Sequence, residues 1–433
     1  MFARSLSLLG LALAVAGLNA EPGIRVVVAQ SNSPAAAFSA RPANGTVFQA
    51  LPDKAELSSG DMLVSLPGAT LTSKNGAVAV RTLADFDSRS PLPVLDTGYS
   101  LVSTAEKDID LELVLDRGRI TVTNVKPDGP ATVRLRFWDQ NWKVVLDAPK
   151  TQVTLELSGR WTAGTRFRPA DPNADPAKAP APVATALFLV LTGSASVDRG
   201  GVTVAMRAPP GPAELRWNSL TGTVPQPQRL EKIPQWADPE ANLSAEGQKV
   251  AGACERFRNS RAGDGAAAFE TYLTSTEPVN QRVALLALCG LDDLERLEKS
   301  LATAKTQEQW DFGVTVLRHW LGRTRGHDQQ LYQHLTARGG YTESQARIVL
   351  QLLLGFTPED LAQPETFEVL IDYLGNPKPS VRSLAAWHLV RLVPQGKALA
   401  YKPTATEAEA RLYQQEWKKI IPPGQLPGAV KKP

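Results

Sequence analysis

Two periodicities divide this chain. From Gly45 to Gly222 the apolar positions fall in short runs that alternate with polar ones, the period-two pattern of half-buried strands. Ala69 to Val80 places Asn75-Gly76 between two such runs, and both residues tolerate the positive φ of a type I′ hairpin turn. Ile109–Leu115 leads through Asp116-Arg117-Gly118-Arg119, read as a turn, into Ile120–Val122. Thr132–Trp138 turns at 139–141 into Trp142–Leu146. Thr151–Leu157, Leu187–Leu191, Ser194–Val197, Val202–Met206 and Ala213–Trp217 complete the set. Many short strands with close turn signals predict an all-β sandwich or roll over 45–222. A Pro/Ala-rich stretch at 168–183 interrupts it as a mobile surface loop.

The period changes across 223–242, a stretch holding Pro225, Pro227, Pro234 and Pro239, which is read as a linker between domains. From 243 to 421 the pattern is amphipathic helix. Leu370–Pro377 ends one helix and Ser380–Leu392 makes the next, with the Val-Arg-x-x-Ala-x-x-x-Leu order of HEAT repeats. Looser copies start near 282, 310 and 346, spaced by roughly 28 to 36 residues, shorter than HEAT arrays usually show. Stacked hairpins of this kind predict an all-α, HEAT-like helical solenoid and two independently folding halves. The tail, 422–433, is expected to fray, and 21–44, small and polar with prolines, to be a flexible arm.

Composition adds the compartment. Arg4 followed by the apolar run Ser5–Leu18 and the small residue Ala20 has the order of a signal peptide over 1–20. The run is shorter than the roughly 20 residues a membrane span needs, so the mature chain is expected outside the cytoplasm without a span. With 47 basic and 44 acidic residues, a net of +3, the field is too weak to imply nucleic acid as a partner. Only Cys254 and Cys289 occur; a disulfide and a pair of buried thiols both remain open.

Candidate chemistry is sparse. Asp108, Asp110 and Glu112 alternate, as Ca2+ ligands can, but Arg134 and Arg136 alternate likewise, which favours an ion-paired face. His319, His327, His334 and His388 lack zinc spacing and sit beside apolar helix positions, so packing or capping is expected. No G-x-S-x-G, Walker or Rossmann glycine pattern is present, and Gly263-Asp264-Gly265 reads as a helix break. No catalytic residue, metal ligand or cofactor follows from these observations. A carboxylate-pair hydrolase stays open, because its residues need not be near in sequence. Trp138, Trp142 and Trp161 fall in neighbouring strands; packing is the expected role, with an exposed sugar platform as the alternative.

Gly60-Asp61-Met62-Leu63 followed by the Asn75-Gly76 hairpin resembles the start of FecR-type domains. Leu191–Val197, Gly200–Val204 and Pro209–Leu215 resemble a second strand set of that kind. The whole chain is similar to exported planctomycete proteins that join a FecR-like β region to a HEAT-like helical region. Leu115–Arg119, Gly129–Arg134, Gly159-Arg160-Trp161, Leu317–Trp320 and Glu365–Leu374 carry that similarity. The resemblance implies an envelope location and the β fold. FecR-type domains elsewhere relay a signal to a cytoplasmic sigma factor, but only Met1 to Arg4 precede the apolar run here, so that role is not expected to carry over. The expected function is a non-enzymatic extracytoplasmic binding or scaffold protein with a protein partner in the cell envelope; a glycan- or wall-binding module is the alternative.

Overall fold

The computed structural model describes residues 26–87, 96–171, 173, 175, 179–221, 226–238, 241–304, 306–399, 401–402 and 405–428. The signal-peptide reading of 1–20 lies outside them. A β-rich N-terminal region is followed by a helical C-terminal region.

The first region holds β1 (Val27–Ser31), β2 (Phe38–Arg41), β3 (Gln49–Ala50), β4 (Glu56–Ser58), β5 (Met62–Ser65), β6 (Thr70–Ser73), β7 (Val78–Thr82) and β8 (Thr97–Val102). It continues with β9 (Leu111–Asn124), β10 (Ala131–Phe137), β11 (Gln140–Leu146), β12 (Gln152–Arg160) and β13 (Val183–Thr192). The last strands are β14 (Ser194–Arg199), β15 (Val202–Arg207), β16 (Pro212–Asn218) and β17 (Gln228–Arg229). They pair as two sheets. One runs β4-β1-β6-β7-β9-β12-β13-β16-β17. The other runs β3-β2-β5-β8-β9-β10-β11-β14-β15. All pairings are antiparallel except β9 with β10.

Strand β9 belongs to both sheets. Its first part, to Arg117, pairs with β8 and β10; from Gly118 it pairs with β7 and β12. The turn expected at 116–119 is therefore a corner within one strand. Gly118 has φ +92°, and a Cβ there would stand 2.7 Å from the Asp96 carbonyl oxygen. Only glycine meets both demands, and strands that switch sheets do so at such bends. The Asn75-Gly76 hairpin forms as expected, with Leu71 opposite Val80, though its loop spans 74–77 instead of two residues.

Alternate residues turn inward from both sheets. Leu113, Val133, Leu135, Val144, Val153, Leu155 and Phe188 are almost fully buried in one core, each contributing about 1.5–3 kcal/mol by burial. Trp142 stands edge-on to Phe137 with ring centroids 4.9 Å apart. Of the arm expected at 21–44, the described part, from residue 26, belongs to this fold. From Val27 on it supplies β1 and β2, and Ala29, Ala37 and Phe38 are buried in the core. Small residues here serve close packing, not mobility.

The second region holds α1 (Ala245–Gly263), α2 (Gly265–Leu273), α3 (Pro278–Gly290), α4 (Leu294–Ala302), α5 (Gln307–Arg323) and α6 (His327–Ala337). It ends with α7 (Glu343–Leu354), α8 (Pro358–Leu361), α9 (Pro364–Tyr373), α10 (Pro379–Leu392) and α11 (Glu407–Ile420). Local chemistry sets the starts. Thr342, Thr357 and Thr406 form capping boxes with Gln345, Asp360 and Glu409, and Pro278, Pro364 and Pro379 stand in first turns. The break at 263–265 is an N-cap: Asp264 accepts from the amides of Ala266 and Ala267 at 2.9 and 3.0 Å. Helix α1 packs on α3, α3 on α5, and α7 on α10, around one apolar cluster. The tail is tied at its start, where the Gly424 amide donates to Glu368 at 2.6 Å.

The stretch read as a linker is docked. β17 pairs with β16, and Leu230, Ile233, Trp236 and Ala237 cover Leu187, Leu189 and Leu191 of β13. The loop after β12 does not float either. Trp161 donates from Nε1 to the Leu321 carbonyl at 2.9 Å, and Ala170 N donates to Gln329 at 2.9 Å. Gly159 and Gly322 cross backbone on backbone: a Cβ on Gly322 would stand 2.6 Å from the Arg160 Cα. The two regions thus share an interface, and the clean separation expected from the change of period is not what these contacts describe.

Candidate functional site

The densest gathering of chemical groups lies in that seam. Asp96 precedes β8, Arg117 sits at the β9 corner, and Cys289, Gly290 and Asp292 end α3. His319 and Arg323 come from α5, and His327 opens α6. Arg117 donates from Nε to Asp96 at 2.7 Å and from Nη2 to the Gly290 carbonyl at 2.6 Å. Its remaining nitrogen, Nη1, meets Asp116 at 2.5 Å. Arg323 donates to the Cys289 carbonyl at 2.8 Å and pairs with Asp292, which also takes Trp320 Nε1 at 3.0 Å and Arg41 at 3.3 Å. Glycines make the room: a Cβ on Gly98 would reach within 2.5 Å of Arg117 Nη1, and one on Gly290 within 3.0 Å of Asp96.

Charges this deep survive only as partners. Burial pushes the Asp96 carboxyl up, but the Arg117 and Arg323 charges outweigh it and hold it below the usual carboxylate range. Asp292 is held down to about 2, with Arg323 and then Arg117 overcoming the cost of burial. Burial drives His319 and His327 down to about 4, so both rings are neutral near pH 7. His327 lies flat on Trp320, 3.9 Å between centroids, with its Nδ1 donating to the Trp320 carbonyl at 2.7 Å. Burial also raises the Cys289 thiol to about 12, which keeps it protonated and unreactive. Neutral imidazoles, a protonated thiol and carboxylates paired with arginines of their own region, Asp96 with Arg117 and Asp292 with Arg323, fill the seam, while Arg117 to the Gly290 carbonyl and Arg41 to Asp292 cross it.

The cysteines are not bridged. Cys254 and Cys289 are both free and buried. Both sit in the one apolar cluster of the helical region: Cys289 turns its Sγ to the Val316 carbonyl at 3.8 Å, and Cys254 lies on α1, its thiol also raised to about 12 by burial.

No family model matches this chain, and no curated protein or solved structure is significantly similar to it. The residues themselves therefore carry the functional reading.

The acidic row is ion-paired throughout, as the alternating arginines led us to expect. Lys143 meets Asp108 at 2.5 Å, Lys126 meets Asp110 at 2.8 Å, and Glu112 lies between Arg134 and Arg136 at 3.3 Å each. Glu112 is directly opposite Arg134 on the parallel neighbour. Asp108 and Asp110 precede β9 and do not stand on it. Among the described residues no group of three or more His, Cys, Asp or Glu side chains is placed to hold a metal ion. His334 pairs with Glu298 at 2.7 Å, and His388 donates to the Leu352 carbonyl at 2.6 Å, both packing roles. Trp142 is core, Trp161 is docked on α5, and half-buried Trp138 carries the Arg325 guanidinium 5.2 Å above its ring.

A cavity of about 230 Å³ opens between the outer face of the first sheet, the 83–87 loop and the docked linker. Thr121, Thr123 and Gln152 form its floor, Trp236 and Leu191 its apolar wall, and Asp85, Asp238 and Asn242 its rim. Sequence reasoning missed both places. The one available signal was local: charged residues on either side of Gly118, inside a run whose flanks read as strand, are costly unless something distant meets them.

Proposed function

We propose that the chain is a non-enzymatic extracytoplasmic binding or scaffold protein, with a FecR-like β region and a HEAT-like helical solenoid that offers its surface to a protein partner in the cell envelope. The single observation that supports this reading is the use of the buried reactive groups: those gathered in the seam are tied up with one another, within each region and across the joint. Helix α3 packs on α1 and α5 on α3, which supports the solenoid reading, and stacked hairpins of that kind usually bind partners on their extended faces. The test is native gel filtration of the chain from detergent-free envelope extract, with mass spectrometry of its peak. Co-elution with one discrete protein in fixed ratio is expected. Elution alone at the mass of the single chain overturns the reading.

A second reading, glycan binding by the β region, is favoured by the cavity. It combines an indole, two hydroxyls and side-chain amides, the groups that recognise a polyhydroxylated ring. Its size suits one small sugar unit. Titration with wall-derived saccharides, read by protection of the Trp236 indole from oxidation, tests it; unchanged oxidation at saturating sugar sinks it.

A further inference from the structure

On the helical region two arginines converge on one indole. Arg318 of α5 stands 5.1 Å and Arg391 of α10 stands 4.0 Å from the Trp387 ring centre. Trp387 is buried, and its Nε1 has no hydrogen-bond partner. His388 lies edge-on to Trp387 at 4.8 Å and is neutral, its pKa driven down to about 4 by burial, with both arginine charges adding to that push. One carboxylate serves this group: Asp311 meets Arg391 at 3.3 Å. Arg318 is half-buried and makes no hydrogen bond or ion pair among the described residues. Burial lowers its pKa, and Arg391 lowers it further, so the two guanidiniums crowd each other without a shared anion.

The helices hold this arrangement firmly. Arg391 also donates to the Trp387 carbonyl at 3.3 Å, and the Gly355 turn after α7 leaves room beside Arg318 Nη2, 3.7 Å from where a Cβ would sit. Two cations held against one indole, with a carboxylate on Arg391 and none on Arg318 among the described residues, form an electrostatically incomplete cluster. An added carboxylate would relieve the repulsion and be gripped by planar, pre-ordered donors.

We propose that Arg318 and Arg391, braced on Trp387, bind a carboxylate side chain from an acidic peptide segment of a protein partner. This deepens the reading of the helical region as a partner-binding surface and rests on it.

The experiment uses the full chain and fluorescein-labelled hexaglutamate, read by anisotropy at low salt. Wild type is expected to bind, with affinity falling as salt rises. Arg318→Gln and Arg391→Gln should each weaken binding about fivefold or more, the loss of a charge-assisted bidentate contact. Arg318→Lys keeps the charge and should retain part of the affinity, which separates the lost charge from a packing defect. Arg411→Gln, on the exposed face of α11 beside Glu407, should leave binding unchanged. Unfolding midpoints of the variants are measured alongside, to show that each is folded. No binding by wild type, a smaller change in either glutamine variant, or equal weakening by Arg411→Gln overturns the proposal. Failure of the wider reading looks different: hexaglutamate binds at this pair while the native chain elutes alone. A native partner retained by Arg318→Gln, with hexaglutamate unbound, removes this site only.

Discussion

The sandwich core and the seam are both closed to water, and they are held by opposite means. In the core, Leu155, Phe188 and Val144 pack in one apolar cluster, so a small misfit costs mainly contact area. In the seam, Arg117, Asp96, Arg323 and Asp292 depend on one another through directed bonds. A core of the first kind tolerates substitution by similar volume. A seam of the second kind tolerates almost none, because each missing partner strands a charge. What the contrast teaches is that each side neutralises its own charge, Arg117 on Asp96 and Arg323 on Asp292, and the joint is then made by a few directed contacts across it: Arg117 to the Gly290 carbonyl, Arg41 to Asp292 and Arg323 near Asp96.

The comparison breaks most sharply by cutting the chain. Proteolysis between Thr221 and Gln226 should leave the two pieces joined through gel filtration, even in molar salt, because the Arg117 contact to the Gly290 carbonyl and the Gly159–Gly322 crossing are buried from screening ions. Release of separate, folded halves would show the joint to be weak and restore the independent-domain picture. Next in size, Arg117→Met strands Asp96 and should cost about 3–5 kcal/mol in urea unfolding, against about 2–5 kcal/mol for Leu155→Ala in the core. If the seam variant proves nearly silent while the core variant is not, the contrast drawn above is false.

Acid sharpens it further. His319 and His327 are depressed to about 4 in the folded chain from an ordinary value near 6.5, so the unfolded chain takes up protons first. Stability should therefore fall as pH drops from about 6.5 to about 4 and level off below that. Asp292, held to about 2, adds a loss that begins near its ordinary carboxylate range and ends near pH 2. His319→Gln should flatten the upper part of the melting-point profile, and a profile identical to wild type would remove His319 from the account. The smallest effect lies outside both interiors: Thr342→Ala removes a capping box at α7 and should cost about 1 kcal/mol by thermal melting, with no change in the acid profile. Thiol labelling completes the set. Native protein should leave Cys254 and Cys289 unmodified, and denatured protein should label both without reductant.

Much of this was legible where the determinants are local. The Asn75-Gly76 hairpin, the Thr342 and Thr406 caps and the alternating rows of β10 follow from spacings of two to four residues. The division into strands and helices followed from the same periodicities. The seam did not, because Arg117 and the Gly290 carbonyl are 173 residues apart, and the charges around Gly118 call for a distant partner without saying which. The 116–119 corner was misread as a turn since polar residues around glycine mark both; only the continued pairing on either side tells them apart. The arm at 21–44 was misread because small residues and prolines suit a tight edge of a sandwich as well as a mobile segment. The cavity beside Trp236 needed the linker to dock, and its prolines spoke only for a break in periodicity.

Strand β9 has a consequence for the growing chain. When residues up to 102 have left the ribosome, β7 and β8 each present a row of backbone groups whose partner has not yet been made. One strand, ending at Asn124, then closes both edges together. Neither sheet has an early, self-sufficient version, so synthesis passes through an interval in which two sticky borders are bare at once, the stage at which pairing with a neighbouring chain competes with folding.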